Sequence, residues 1–252
     1  MVMNTIHKIA SPEEGLRYLA ERYGVPVPDD ARLDPLPGEG RLSPALAVSG
    51  KRFPLLPWRQ ERRFAELKSM VRDGTLKDVS SVRVCRIEQA GTDLRLLLYR
   101  ELDLLEWLLD SPVEYLYTVS SGPAANTVAR LRCGVVCTVE TAATLAPGAQ
   151  ILDKHEIIAS KGVALDKVVD TQIQQNSVYV FAGQKEPDAF TDTDFELYGL
   201  TPPDTALVRC ALEALRNPAA AEEMSRQDAR LQKLTALALE SAETGRKMIV
   251  EG

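Results

Sequence analysis

Residues 95–110 read Arg-Leu-Leu-Leu-Tyr-Arg-Glu-Leu-Asp-Leu-Leu-Glu-Trp-Leu-Leu-Asp. The apolar positions Leu102, Leu105, Trp107, Leu108 and Leu109 cover more of a helical wheel than a surface helix allows, so this stretch predicts a core helix buried on more than one side. Arg100 and Glu101, with Asp103 nearby, are then either the exposed N-terminal edge of that helix or the polar lining of a site. Upstream, Ser11-Pro12-Glu13-Glu14 has the form of a helix start, with serine as N-cap, proline in the first turn and Glu14 closing a capping box. Leu16, Leu19, Ala20 and Tyr23 form its apolar stripe, and Gly24 ends it. A second amphipathic helix over 61–73 carries Phe64, Leu67, Met70 and Val71 on one side, with Gly74 beyond it.

Elsewhere the period changes from helical to alternating. Residues 80–88 alternate as a strand, with Val82, Val84 and Arg86 on one face and Ser81, Arg83, Cys85 and Ile87 on the other. Further strands are expected over 113–119, 126–131, 135–141, 150–159, 161–165 and 177–182. Most are joined by short turns, which makes consecutive strands antiparallel neighbours, because a parallel crossover needs a dozen or more residues. Helices over 204–215 and 229–244 finish the chain. Nothing repeats strand–helix–strand, so the pattern is α+β: a large, mostly antiparallel open sheet with helices packed on one face and no complete Rossmann domain. Seven prolines between 26 and 57 mark a long irregular arm with one short strand at 45–48. The domain reading is an N-terminal helix and Pro-rich arm over 1–57 and an α+β domain over 58–252.

Composition narrows the function classes. A chain of 252 residues with a net charge of −6 has no basic surface for neutralising phosphates, which argues against nucleic acid as a partner. No signal-like N-terminus and no apolar run of membrane-spanning length are present, so the expected location is the cytoplasm and no membrane partner is implied. Four cysteines, Cys85, Cys133, Cys137 and Cys210, with two histidines, His7 and His155, make a poor zinc inventory. Cys133 and Cys137 fall on one face of a strand if the alternation holds, and packing is their simplest use.

Several phrases resemble the glucose-fructose oxidoreductase/inositol dehydrogenase (Gfo/Idh/MocA) family of NAD(P)-dependent oxidoreductases. Residues 64–84 look like the family's helix, glycine turn and first sheet strand. Residues 102–114, Leu-Asp-Leu-Leu-Glu-Trp-Leu-Leu-Asp-Ser-Pro-Val-Glu, look like the helix and strand after its catalytic motif, and residues 236–247 like its closing helix. Family members begin with a Rossmann domain of about 120 residues carrying G-x-G-x-x-G. No such motif stands here, and residues 11–25 resemble the helix just after the family's Glu-Lys-Pro motif, so the chain is expected to begin where the nucleotide-binding half stops. The lysine of that motif falls near Ile6, and Lys8 lacks the following proline.

The resemblance also places the family's catalytic Asp-x-x-x-His motif, with the histidine position at Arg100 and the aspartate position at Leu96. An arginine that stays protonated and a leucine with no polar group cannot carry the family's acid/base step. The expectation is a homologue with no catalytic residues and no cofactor of its own, not an enzyme by itself, acting as an oligomerisation or ligand-binding module. By the same resemblance it forms a homo-oligomer through the open sheet face. The alternative is a subunit of a sugar or cyclitol oxidoreductase that needs a separate Rossmann-containing homologue for NAD(P). Candidate ligand-binding residues are Arg59, beside Trp58 after the proline arm, Arg100, Glu101 and His155. The plain reading of Arg100 and Glu101 is a solvated helix start, and that of His155, between Lys154 and Glu156, is an exposed strand residue.

Overall fold

The computed structural model describes residues 8–35, 40–166, 177–181, 188–191 and 196–251. Ile6 and His7, named above, and residue 182 at the end of an expected strand lie outside these. The chain divides into two compact units, Met1–Glu61 with Thr193–Ala229, and Arg62–Asp192 with Arg230–Gly252. In this division the Pro-rich arm is grouped with residues 193–229.

In the first unit, α1 (Pro12–Tyr23) starts as its sequence dictates. The Ser11 hydroxyl accepts the Glu14 N–H at 3.2 Å, and the Glu14 carboxylate reaches back to the Ala10 N–H at 2.8 Å. Gly24 ends the helix in the left-handed conformation, and its N–H closes onto the Ala20 and Glu21 carbonyls. The arm is more ordered than expected. Strands β1 (Arg32–Asp34), β2 (Ala45–Val48) and β3 (Lys51–Pro54) form a small antiparallel sheet. The missed signal is Ser49-Gly50, which links β2 to β3 as a two-residue turn with positive φ at both positions (52° and 72°), the twist that a tight hairpin requires. Gly199 has φ 105°, and a Cβ there would stand 2.6 Å from the Ile9 carbonyl oxygen, where the Ile9 N–H pairs with the Tyr198 carbonyl. Gly199→Ala is therefore expected to cost about 1–3 kcal/mol in a urea titration, since both the dihedral and the space exclude a methyl.

The second unit is built on one sheet. Its strands are β4 (Val79–Gln89), β5 (Val113–Ser120), β6 (Ala124–Leu131), β7 (Val136–Leu145), β8 (Leu152–Ala159), β9 (Gly162–Leu165), β10 (Ser177–Phe181), β11 (Asp188–Thr191) and β12 (Met248–Ile249), arranged in the order β11-β10-β9-β8-β4-β7-β6-β5-β12. Among the described residues every pairing in this sheet is antiparallel except β4 with β7. The expected α+β class and mostly antiparallel sheet hold. Cys133 is a correction: it sits exposed in the turn between β6 and β7, while Cys137 is buried on β7, so the two do not share a strand face.

Period-two alternation divides the sheet into two faces. Across the inner face one register row runs Leu116, Ala129, Cys137, Val82, Ile157, Ala164 and Val180, all buried. The helix α3 (Leu94–Leu108) packs against β4, β6 and β7 with Leu98, Leu102, Leu104 and Leu105 fully buried, which is the burial on several sides that its leucines predict. Asp93 caps its start, and at its end Lys68 of α2 (Arg62–Arg72) binds the Trp107 carbonyl at 2.6 Å and the Asp110 carboxylate. A cation there complements the negative end of the helix dipole. Helix α4 (Pro202–Arg216) and the first part of α5 (Pro218–Thr244) belong to the first unit; in the second, Ser241 near the end of α5 accepts the Thr118 N–H of β5. No helix among the described residues is long and apolar enough to cross a membrane.

Candidate functional site

A second inner-face row runs Thr118, Thr127, Val139, Val84 and His155, and the next ends Thr141, Arg86 and Asp153. Alternation on β8 thus turns Asp153 and His155 inward beneath α3, while Lys154 and Glu156 point the other way. His155 is fully buried, which corrects the expectation of an exposed residue. Its Nε2 lies 2.9 Å from Glu101 Oε2, and its Nδ1 lies 2.7 Å from Oδ2 of Asp166, just beyond β9. Asp166 also accepts the His155 N–H at 2.7 Å. Phe64 of α2 meets the imidazole edge-on, with ring centroids 4.5 Å apart.

Arg100 and Glu101 are buried too, against the reading of a solvated helix start. They lie one turn and more inside α3, where the helix is pressed onto the sheet, and each has a charged partner. Arg100 donates to Glu101 and, at 3.3 Å, to both oxygens of Asp153. Arg63 of α2 donates to Asp153 at 2.6 Å and to Asp166 at 2.9 Å. Arg86 of β4 donates to Asp153 at 2.8 Å and to Glu88 at 2.7 Å. Of the residues expected to form a site, the structure brings Arg100, Glu101 and His155 together. Arg59 stands in the first unit, where it donates to Gln227 at 2.5 Å.

The electrostatics of the cluster follow from these pairs. Burial alone would lower the His155 pKa, but Asp166 and Glu101 outweigh it and raise the value to about 9. Geometry gives the same result, because a neutral imidazole has one N–H and here both ring nitrogens face carboxylate oxygens. Burial also opposes the charges of Glu101 and Asp153. Arg100 and His155 nevertheless hold Glu101 below the ordinary carboxylate range, and Arg100 and Arg63 hold Asp153 well below it. With His155 as imidazolium, four cations face four carboxylates. The ligating atoms of Glu101, Asp153 and His155 lie within 4.8 Å of one another, close enough to hold a metal ion. A divalent ion at that point would have to displace the imidazolium proton and sit against Arg100, so the donor set fits an ion-pair network better than a metal centre.

Sequence reasoning missed Arg63, Arg86, Asp153 and Asp166. Two signals were present. Arg86 shares a strand face with Val82 and Val84, and Asp153-x-His155-x-Ile157-x-Ala159 has the same alternation, so in both strands a charge is directed into a core and must be paired there.

No protein-family model and no curated protein matches the chain. Solved structures do match. Levoglucosan dehydrogenase, in complex with NADH and levoglucosan, superposes with a TM-score of 0.60 at 15% identity, covering 77% of this chain and 65% of that one. An oxidoreductase domain protein from Kribbella flavida gives 0.59 at 14%, covering 78% and 65%. Myo-inositol 2-dehydrogenase from Lactobacillus plantarum gives 0.58 at 15%, covering 78% and 64%. The chain therefore has the α+β sheet fold found in Gfo/Idh/MocA-type oxidoreductases. It spans less than two thirds of the length of these structures, and at these identities the likeness is one of fold.

Proposed function

We propose that this chain is a non-catalytic homologue of the sheet domain of an NAD(P)-dependent oxidoreductase and works as an assembly module. The observation that carries this is the state of Arg100. At the position where the resemblance expects an acid/base histidine, an arginine is tied to Glu101 and Asp153, and Leu96 stands where the motif's aspartate would be. Proton transfer near neutral pH needs a group that titrates there and can reach a substrate. Arg100 does not titrate, and His155 is buried with both nitrogens engaged.

The assembly role is supported by the outer face of the sheet. Tyr117, Val119, Val128 and Val136 are apolar residues on the outer face of β5, β6 and β7, each between 41% and 56% exposed, and Tyr117 and Val128 stand directly opposite each other. Exposed apolar residues on a sheet face favour covering by a partner, which supports the assembly reading. Sedimentation of the purified chain at micromolar concentration is expected to give a discrete oligomer, and Val119→Asp combined with Val128→Glu is expected to give a monomer with unchanged circular dichroism. Titration with NADH and NADPH, followed by nucleotide fluorescence, is expected to show no saturable binding. A monodisperse wild-type monomer, or micromolar affinity for either nucleotide, would overturn the reading. Co-purification of a Rossmann-containing protein, with nucleotide binding only in the mixture, would instead favour an accessory subunit of a sugar or cyclitol oxidoreductase.

A further inference from the structure

Three arginines from three elements converge on one carboxylate oxygen. Asp153 Oδ2 accepts from Arg63 at 2.6 Å, from Arg86 at 2.8 Å and from Arg100 at 3.3 Å. Each guanidinium is also held by another acid, Arg63 by Asp166, Arg86 by Glu88 and Arg100 by Glu101. The forks are therefore fixed in direction whatever occupies the centre. Planar guanidinium forks held in this way form the arrangement that recognises carboxylate or phosphate. Three donors crowd Oδ2 while Oδ1 takes one from Arg100 at 3.3 Å, so the forks are aimed at one point rather than spread over the carboxylate.

The cluster is not sealed off, since the side chains of Asp153, Arg63, Arg86 and Arg100 are between 9% and 18% exposed. Charge completes the argument. Without Asp153, three guanidiniums and the His155 imidazolium would face Asp166, Glu88 and Glu101, leaving one uncompensated positive charge at the centre of the forks.

We infer that Arg63, Arg86 and Arg100 form an oxyanion cradle, for a carboxylate or a phosphate, whose occupant in this chain is its own Asp153. The aspartate acts as a tethered ligand and excludes small anions from solution. This inference rests on the geometry of the second unit and not on the assembly reading, so a chain that proved monomeric or bound nucleotide would leave it intact.

The test is Asp153→Ala in the full chain, melted in acetate, in phosphate and in chloride at matched ionic strength, with calorimetric titration of the same anions. The variant is expected to show a saturable rise in melting temperature in at least one oxyanion, with an affinity about tenfold or more above that of wild type. Acetate alone would identify a planar carboxylate site, and phosphate a tetrahedral one; either supports the cradle. Adding Arg86→Gln is expected to weaken that binding about tenfold or more. A folded Asp153→Ala chain that responds no more to either oxyanion than to chloride would overturn the inference, as would wild-type binding of equal strength. Should Asp153→Ala not fold, Asp153→Ser is refolded in the same salts. Greater recovery in acetate or phosphate than in chloride supports the cradle, and equal recovery removes it.

Discussion

His155→Ala is expected to lower the free energy of unfolding at pH 7 by about 3–5 kcal/mol, read from the midpoint of a urea titration at unchanged slope. The reason is what remains behind. Glu101 is fully buried and Asp166 nearly so, and the imidazolium is the group that stands between them. Removing it leaves two buried carboxylates without their shared cation. The same residue sets a pH window. Its folded pKa of about 9 lies above the ordinary histidine value of 6.5, so its stabilisation is complete below pH 6.5 and is lost as pH rises through 9. The loss across that window is about 3 kcal/mol in the wild-type chain and absent in His155→Gln. A wild-type stability that stays level from pH 6.5 to 9.5 would mean that the imidazole is neutral. The acidic limb runs the other way. Glu101 and Asp153 have depressed pKa values, so their contribution is present above the unfolded carboxylate value and disappears as pH falls through the folded one.

Phe64→Ala is expected to have an effect of similar size, about 3–5 kcal/mol by the same measurement. Phe64 is fully buried on α2, and its ring touches the edge of His155 while the guanidinium of Arg63 lies 4.3 Å from its centroid and that of Arg100 5.3 Å. The ring fills apolar volume and also presents a π face to two cations in a part-dry site. Phe64→Leu keeps most of the volume and is expected to cost about 1–2 kcal/mol, so the difference between the two substitutions separates packing from ring electrostatics. If leucine proved as damaging as alanine, the ring's contacts with the charges would outweigh its volume.

The fold was readable where one face of an element is apolar throughout. The leucines of α3 predict its burial, and Val82 and Val84 predict the inner face of β4; both hold. The charged cluster was harder to read for a physical reason. Lys154 and Glu156 flank His155 and suggest water, yet in a strand the neighbours of a residue lie on the opposite face and say nothing about its own surroundings. The partners Arg63, Asp166 and Glu101 come from three separate segments of the chain. Their meeting is set by strand order and helix placement, which local pattern does not encode. In the small sheet of the first unit the strand expected at 45–48 is β2, while β1 and β3 were missed because they are only three or four residues long and bordered by prolines.

The single parallel pairing in the main sheet has a consequence for how the molecule assembles itself. Strands β5, β6 and β7 are linked in sequence by short turns, and β8 is likewise linked to β9, so each group can form from local encounters in microseconds. Strand β4 is different: Ser81 meets Val136 only after α3 and two intervening strands have been threaded between them. The loop-closure entropy of that encounter is lost before any contact repays it. Docking of β4 between β7 and β8 is thus expected to be the slow step of folding, and it is the same docking that sets Arg86 against Asp153.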